Sequence, residues 1–278
     1  MERDPAELPH PPAEDGPAPL REDDGGLFAD AVMALRFFSR LPSGDSPHKP
    51  PSLARIAPAL PFASLVIGIG PALCLLLFVW IGLPPAFAVV LAVAAQVLVT
   101  GAMAEDALAD ATDGLFGGHS ASRRLEIMRD SRHGTYGVLA IVLFVAARLA
   151  AYHALVLDGW LDVIGVMLAA GVVARSAGLW MAARLAPARG DGAGATAGLL
   201  PLPPFLAGLG FAAVLGTILA GPFVGYAGII AAALLVMGCV AGWTALCRHL
   251  VGGQSGDLIG AGIALAELAA LTGFLLFA

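Results

Sequence analysis

Long apolar runs separated by short polar segments dominate the chain. Most of these runs approach the roughly 20 residues that an α-helix needs to cross a hydrocarbon core about 30 Å thick. They show none of the period-2 alternation of outer-membrane barrel strands. The pattern predicts an all-α fold, a polytopic integral membrane helical bundle of about seven transmembrane helices. The predicted spans lie near residues 57–82, 84–104, 136–157, 162–183, 203–221, 223–245 and 258–277.

Turn-forming residues separate three pairs of neighbouring runs, at Pro84–Pro85, Asp158–Gly159 and Gly221–Pro222. Ahead of the first run, residues 27–41 have helical periodicity with their apolar side chains near one face, which predicts a helix at the membrane interface. We therefore expect residues 27–278 to form one membrane-embedded domain.

The segment before this domain differs in composition. Residues 1–26 hold six Pro and eight Asp or Glu and almost no large apolar residues, so we predict a disordered acidic tail. The whole chain is 58% hydrophobic and 13% charged, whereas a soluble domain is about half apolar and a quarter charged. The three cysteines form no CxxC pair, so the sequence predicts neither a disulfide framework nor a cysteine metal site.

The basic residues are distributed unevenly about the predicted spans. Thirteen of the 15 Lys and Arg residues fall on one side of a seven-span bundle, within residues 1–56, 105–135, 184–202 and 246–257. Cytoplasmic loops carry an excess of Lys and Arg. We therefore predict a multi-pass protein of the cell inner membrane whose N-terminus lies in the cytoplasm. The ionisable residues of the site are expected on the same, cytoplasmic side.

Three carboxylates follow the second predicted span. Asp106, Asp110 and Asp113 are spaced so that a helix places them within an arc of about 60° on one face, while Glu105 points away. Carboxylates this close repel one another at a membrane surface unless a cation lies between them. Oxygen ligands suit Mg²⁺, with phosphate oxygens of a substrate completing the shell. The alternative is a solvated acidic face on a helix that extends into the cytoplasm.

An arginine cluster lies close behind these acids. Arg123, Arg124, Arg129 and Arg132 can bind phosphate oxygens in bidentate fashion, and acids beside arginines are what phosphoryl transfer from a pyrophosphate requires. The arginines could also serve as topology anchors, which would explain their side of the membrane but not their density. Asp130 is a candidate either for a metal or for pairing with an arginine.

Two glycine-rich segments complete the polar side. Gly253 and Gly256 permit a close backbone approach to a ligand just before the last span. Asp257 could then act on a metal or a hydroxyl, or could cap the last helix. The other segment is a loop that carries Arg189.

Three ionisable residues lie inside predicted spans, where each costs about 2.5–3.5 kcal/mol on insertion scales. Arg175 and Glu267 could form a structural pair or join the site. For Arg148 we expect a side chain that extends toward the membrane surface.

Four motifs in order resemble the cobalamin synthase family, the adenosylcobinamide-GDP ribazoletransferases. They are DALADATDG (106–114), RRLEIMRDSRHGTYGVLA (123–140), ARGDGAG (188–194) and GGQSGDLIGA (252–261). The resemblance runs from FFSRLP at 37–42 to the C-terminus. This sequence departs from the family at Ala104 and Ala107, where His and Gly are usual, and Glu105 is also atypical.

The resemblance implies a membrane transferase that needs Mg²⁺. It would join adenosylcobinamide-GDP to α-ribazole or its 5′-phosphate, releasing GMP and forming adenosylcobalamin or its phosphate. The acidic motif maps onto Asp106, Asp110 and Asp113, and the Gly-Asp motif onto Gly256 and Asp257. As partners we expect the two substrates and the lipid bilayer, with other enzymes of nucleotide-loop assembly as further candidates, and no nucleic acid.

Two other functions fit part of the pattern. A CDP-alcohol phosphatidyltransferase also uses spaced aspartates on membrane helices, but its signature includes an Ala-Arg element that DALADATDG lacks. A transporter could use the acids as a cation path, but such acids lie near the midplane between inverted repeats. We see no convincing internal repeat in this sequence.

Overall fold

The computed structural model describes residues 26–43, 52–130, 132–190 and 198–278. The predicted disordered tail lies outside these residues, apart from Gly26. Every regular element in the described ranges is an α-helix, with one isolated backbone bridge between Pro187 and Gln254. The predicted all-α class is confirmed.

The helices are short in the polar segments of the sequence and long in the apolar runs. In order they are α1 (Leu27–Phe38), α2 (Leu53–Trp80), α3 (Pro85–Thr100), α4 (Met103–Gly117), α5 (Ala121–Ile127), α6 (Thr135–Asp158), α7 (Trp160–Gly178), α8 (Trp180–Arg184), α9 (Leu202–Leu250) and α10 (Gly256–Leu275).

Within the described residues, five helical segments are long and apolar enough to cross a membrane, namely α2, α6, α7 with α8, α9 and α10. The count becomes six if α3 and α4, which meet at a bend of 82°, form one broken span. The multi-pass helical character is therefore confirmed. The predicted number of seven spans and the side of the N-terminus stay predictions.

Helix α9 is broken at Gly225, whose φ of 62° and ψ of −178° lie in a region that essentially only glycine adopts. A straight helix would hold Phe205 and Val240 about 52 Å apart. Both instead line one apolar cavity of about 780 Å³ between the two halves of α9. The chain therefore reverses at Gly225, a few residues after the turn predicted at Gly221–Pro222, which lies within the first half.

Small residues allow the helix backbones to approach closely around α7 and α10, the most buried of the spanning helices. A Cβ on Gly273 of α10 would lie 2.3 Å from the Cα of Ala232 in α9. Similarly, a Cβ on Gly178 of α7 would lie 2.3 Å from the side chain of Ile263 in α10. Tight packing replaces the hydrophobic driving force that is weak between helices in lipid. It holds α7 and α10 together along the wall of the site described below.

Candidate active site

A sharp bend positions the acidic helix α4. Gly101 and Ala102 both adopt left-handed backbone conformations, with φ of 66° and 58°, and α4 leaves α3 at 82°. The predicted span to residue 104 is therefore too long, because α3 ends at Thr100. The acids lie on a separate helix and not on a straight extension of the span. Ala102 is the only non-glycine residue with positive φ among the described residues, so the backbone is strained beside the acids.

The bend brings α4 against the start of α10, where a cavity of about 310 Å³ opens. Asp106 and Asp257 both line this cavity, although 151 positions separate them in sequence. The contact between the helices is close, because a Cβ on Gly260 of α10 would lie 2.5 Å from the Cβ of Ala107. Ala107 stands where the resembling family usually has glycine, and it makes this contact.

Asp257 belongs to the first turn of α10 and does not cap it. The cap is Ser255, whose hydroxyl accepts a hydrogen bond from the backbone N–H of Leu258 at 3.3 Å. The cap alternative for Asp257 is therefore wrong. Its carboxylate is half-buried, and the charges of Arg189, Asp106 and Arg129 act on it.

Asp110 lies one helical turn beyond Asp106 and is half-buried. Its Oδ1 is 3.7 Å from Nδ1 of His133, and the negative charges of Asp106 and Asp257 act on it as well. The sequence offered no reason to join His133 to the site, because 22 residues and a turn separate it from Asp110. Asp106, Asp110 and Asp257 thus form an acidic group, which we call the mouth carboxylates.

Asp113 has a different environment from the other two acids of α4. It is buried, and its two oxygens accept hydrogen bonds from the backbone N–H groups of Gly134 at 2.6 Å and Gly137 at 2.9 Å. Gly134 is the N-cap residue of α6 and Gly137 lies in its first turn, and no side chain of the N-cap residue caps this helix. Asp113 therefore caps α6 from a neighbouring helix. Neither glycine has room for a side chain beside this carboxylate.

Two loops are joined beneath the mouth carboxylates. The N–H of Ala188 donates to the carbonyl of Gln254 at 2.8 Å, and the N–H of Gln254 donates to the carbonyl of Ala186 at 2.9 Å. A Cβ on Gly253 would meet the backbone of Ala188 at 2.7 Å, so this glycine permits approach of the other loop and not of a ligand. The pairing places Arg189 near Asp257. Residues 191–197 of the ARGDGAG loop lie outside the described residues.

The predicted phosphate-binding arginines fall into two groups. Arg123 pairs with Glu126 on its own helix at 2.7 Å, and Arg124 donates to the carbonyls of Leu115 and Leu250 at 3.1 and 2.9 Å. Arg124 therefore ties α5 to the ends of α4 and α9. Arg129 and Arg189 instead lie near Asp257.

Asp130 and Arg132 pair with each other at the exposed end of the following turn, at 2.7 Å. Hydrogen bonds from the Arg132 side chain and backbone hold the pKa of Asp130 down at about 2. Of the two alternatives for Asp130, pairing with an arginine is the one that the structure contains.

A buried charge cluster lies deeper in the bundle. Arg148 is 1% exposed and contacts Glu105 at 2.7 Å and Glu267 at 3.1 Å, and the hydroxyl of Tyr152 donates to Glu267 at 3.2 Å. The expectation that Arg148 extends to the membrane surface is wrong, since these carboxylates hold it inside. Glu105 points away from the mouth carboxylates, as predicted, because it binds Arg148. The cluster links α4, α6 and α10.

In the described part of the chain, no group of three or more His, Cys, Asp and Glu side chains is arranged to hold a metal ion. The mouth carboxylates nevertheless lie together at one end of the cavity. Asp106 and Asp257 line the cavity, Asp110 lies one helical turn beyond Asp106, and the charges of Arg129 and Arg189 act on Asp257. Fold and site together define a multi-pass membrane protein with an acidic and basic site at one end of an apolar cavity.

The chain belongs to the cobalamin-5-phosphate synthase family, whose model matches residues 30–275. This assignment confirms the resemblance and supports neither the phosphatidyltransferase nor the transporter alternative.

Similar proteins agree over nearly the whole chain. An adenosylcobinamide-GDP ribazoletransferase of Azorhizobium caulinodans is 40% identical over 256 residues, covering 91% of this chain and 97% of the relative. Proteins of the same name from Xanthobacter autotrophicus and Rhizobium johnstonii are 41% and 39% identical, covering 90% and 87% of this chain and 97% and 94% of the relatives. No solved structure matches the chain.

Proposed function

We propose that this protein joins adenosylcobinamide-GDP to α-ribazole or its 5′-phosphate, releasing GMP and forming adenosylcobalamin or its phosphate. The family and the shared name of its relatives supply the substrates. The observation that carries the assignment of the site is that Asp106 and Asp257 line the same cavity, with Arg129 and Arg189 near enough to Asp257 for their charges to act on it. A pyrophosphate needs both kinds of side chain around it.

Mg²⁺ is the proposed cofactor. Magnesium is commonly bound through one or two carboxylates together with substrate phosphates, so a preformed cage of three acids is not required. Asp106 and Asp110 are the proposed protein ligands, with Asp257 beside them. Asp113, the third predicted ligand, already accepts two backbone hydrogen bonds, and we assign it the positioning of α6 relative to α4. When bound, the ion would neutralise charge that develops on the transferring phosphate.

The reaction requires one bond to form and one to break. The ribose 3′-hydroxyl of the ribazole attacks the phosphorus on the cobinamide side of the pyrophosphate, and the P–O bond to GMP breaks. The hydroxyl proton passes to a base, for which Asp257 is the best-placed carboxylate on the cavity wall. Arg129 and Arg189 stabilise the negative charge on the phosphates.

We also propose that the site faces the cytoplasm across the cell inner membrane. The support is the concentration of Lys and Arg in segments that the predicted topology places on one side. α5, the joined loops and the mouth carboxylates all belong to, or adjoin, those segments.

The proposed function is tested by nucleotide release from the purified protein in lipid nanodiscs. With adenosylcobinamide-GDP, α-ribazole and Mg²⁺, we expect GMP and a corrinoid phosphodiester in equal amounts, and no GMP without the ribazole. Asp257→Asn should lose this activity. Asp158→Asn, the same change at an exposed position at the far end of α6, should keep it. Turnover of a CDP-activated lipid in place of the corrinoid would contradict the proposal.

A further inference from the structure

The cavity behind the mouth carboxylates is elongated and mostly apolar. Along α10 its lining runs from Gly256 and Asp257 to Glu267, a length of about 15 Å on one helix face. Its walls include Phe38 of α1 and Leu179 beyond α7. α1 is held against α2 by an ion pair between Asp30 and Arg55 at 2.8 Å, so the wall that it supplies is anchored.

A buried cation lies far from the mouth of this cavity. Arg175 of α7 lines it and is 8% exposed. Its guanidinium donates one hydrogen bond within the described residues, to the carbonyl of Gly171 at 3.2 Å. Glu267 lines the same cavity and binds Arg148 and Tyr152 through its Oε1, but no hydrogen bond or ion pair joins it to Arg175 among the described residues. Among the described residues, Arg175 thus retains N–H donors that face the cavity with no protein acceptor.

Such an arginine is costly in a membrane protein. A guanidinium has five N–H donors, and leaving them without acceptors in an apolar site is unfavourable. Arg175 is therefore expected to have an acceptor when the cavity is filled. The acceptor must be carried by a molecule that is otherwise apolar, because the surrounding wall has few polar groups.

We propose that this cavity binds the aromatic base of the nucleoside acceptor, with Arg175 donating a hydrogen bond to the base's unsubstituted ring nitrogen. This inference rests on the proposed function. The dimethylbenzimidazole of α-ribazole is flat and apolar, and has a single ring nitrogen free to accept. Guanine has polar groups along most of its edges and would leave them unpaired against this wall. The corrin ring is far larger than about 310 Å³.

The orientation follows from the two ends of the cavity. With its base near Arg175, the nucleoside directs its ribose toward Asp106 and Asp257. The 3′-hydroxyl then lies at the mouth, where the pyrophosphate of the donor would be held. The depth of the cavity thus explains how an apolar base can place a reacting hydroxyl among charged groups.

Arg175→Met tests the assignment, because it keeps an unbranched side chain of similar reach and removes the donors. In nanodiscs we expect the KM for α-ribazole to rise about tenfold or more, as for loss of a hydrogen bond from a charged group. The KM for adenosylcobinamide-GDP should stay within about twofold. Binding of radiolabelled α-ribazole without the donor should weaken by the same factor. Arg184→Met is the matched control, since Arg184 is exposed and stacks on Trp180 outside this cavity.

The outcomes separate this inference from the proposed function. If the wild-type protein releases no GMP, the proposed function fails. If it is active but Arg175→Met changes the donor KM and leaves α-ribazole binding unchanged, the assignment of the cavity is overturned while the function stands. If Arg175→Met does not insert, the wild-type protein decides the matter with the α-ribonucleoside of dimethylindole, in which a C–H replaces the accepting ring nitrogen. A KM for this analogue equal to that for α-ribazole would contradict the proposal.

Discussion

Replacing Arg148 by Met removes the cation that Glu105 and Glu267 share. Arg148 is 1% exposed, with carboxylate oxygens at 2.7 and 3.1 Å and the ring of Phe144 at 4.9 Å from its guanidinium carbon. Methionine keeps much of the apolar contact and removes the charge. Breaking a buried ion pair by removing one partner typically costs 3–5 kcal/mol, so we expect a loss of about 3–5 kcal/mol in the free energy of unfolding.

The assay is equilibrium unfolding in lipid, followed by tryptophan fluorescence, with thermal melting as a second measure. Arg184→Met is again the matched control, because its guanidinium carbon lies 4.8 Å from the ring centre of Trp180 at an exposed position. An exposed cation–π contact contributes about 0.5–1 kcal/mol. The difference between the two variants therefore isolates the buried cluster from the general effect of losing an arginine.

A triple variant distinguishes buried charge from lost packing. Arg148→Met combined with Glu105→Gln and Glu267→Gln removes all three charges, and replacing a complete buried ion cluster is often nearly neutral. We expect it to recover most of the stability lost in the single variant. The assigned role of the cluster is refuted if Arg148→Met is no less stable than Arg184→Met, or if the triple variant is less stable than Arg148→Met alone.

Three further outcomes are expected. Asp113→Ala should lower the free energy of unfolding by about 1–2 kcal/mol, as expected for loss of a helix cap. It should leave the Mg²⁺ dependence of activity unchanged. A weakened response to Mg²⁺ would instead identify Asp113 as a metal ligand. In a chain without native cysteines, Ser120→Cys should be labelled from the cytoplasm and Asp158→Cys from outside, and labelling from the same side would contradict the topology. The carboxyl of Asp130 should titrate at about pH 2 by NMR and move up toward its ordinary pKa in Arg132→Gln, because the hydrogen bonds of Arg132 favour the charged form; a midpoint that does not move would contradict that cause.

The sequence was sufficient for features that depend on local pattern. The apolar runs predicted the long helices, and the spacing of Asp106 and Asp110 predicted their common position on α4. It also predicted that Glu105 would point elsewhere. Each of these follows from helical periodicity alone.

Features that depend on contacts between distant segments could not be predicted from the sequence. Asp113 shares the helical spacing of the other acids, but the start of α6 takes both its oxygens. Arg148 could not be assigned without knowing that Glu105 and Glu267 meet it from two other helices. The bend after α3 has a sequence signal only in Gly101, because Ala102, the other left-handed residue, is of a type that rarely adopts positive φ.

The proposed site depends on Asp106 and Asp110 holding Mg²⁺, which would in turn bind the pyrophosphate of the donor. The direct test is GMP release as a function of Mg²⁺ concentration for the wild-type protein and Asp110→Asn, with membrane insertion verified for both. Asn keeps the shape of Asp110 and removes one negative charge beside Asp106. We predict that wild-type activity requires Mg²⁺ and that Asp110→Asn loses transfer, or regains part of it only at high Mg²⁺. Activity that persists in excess chelator, or an Asp110→Asn variant with normal rate and unchanged Mg²⁺ dependence, would contradict the claim.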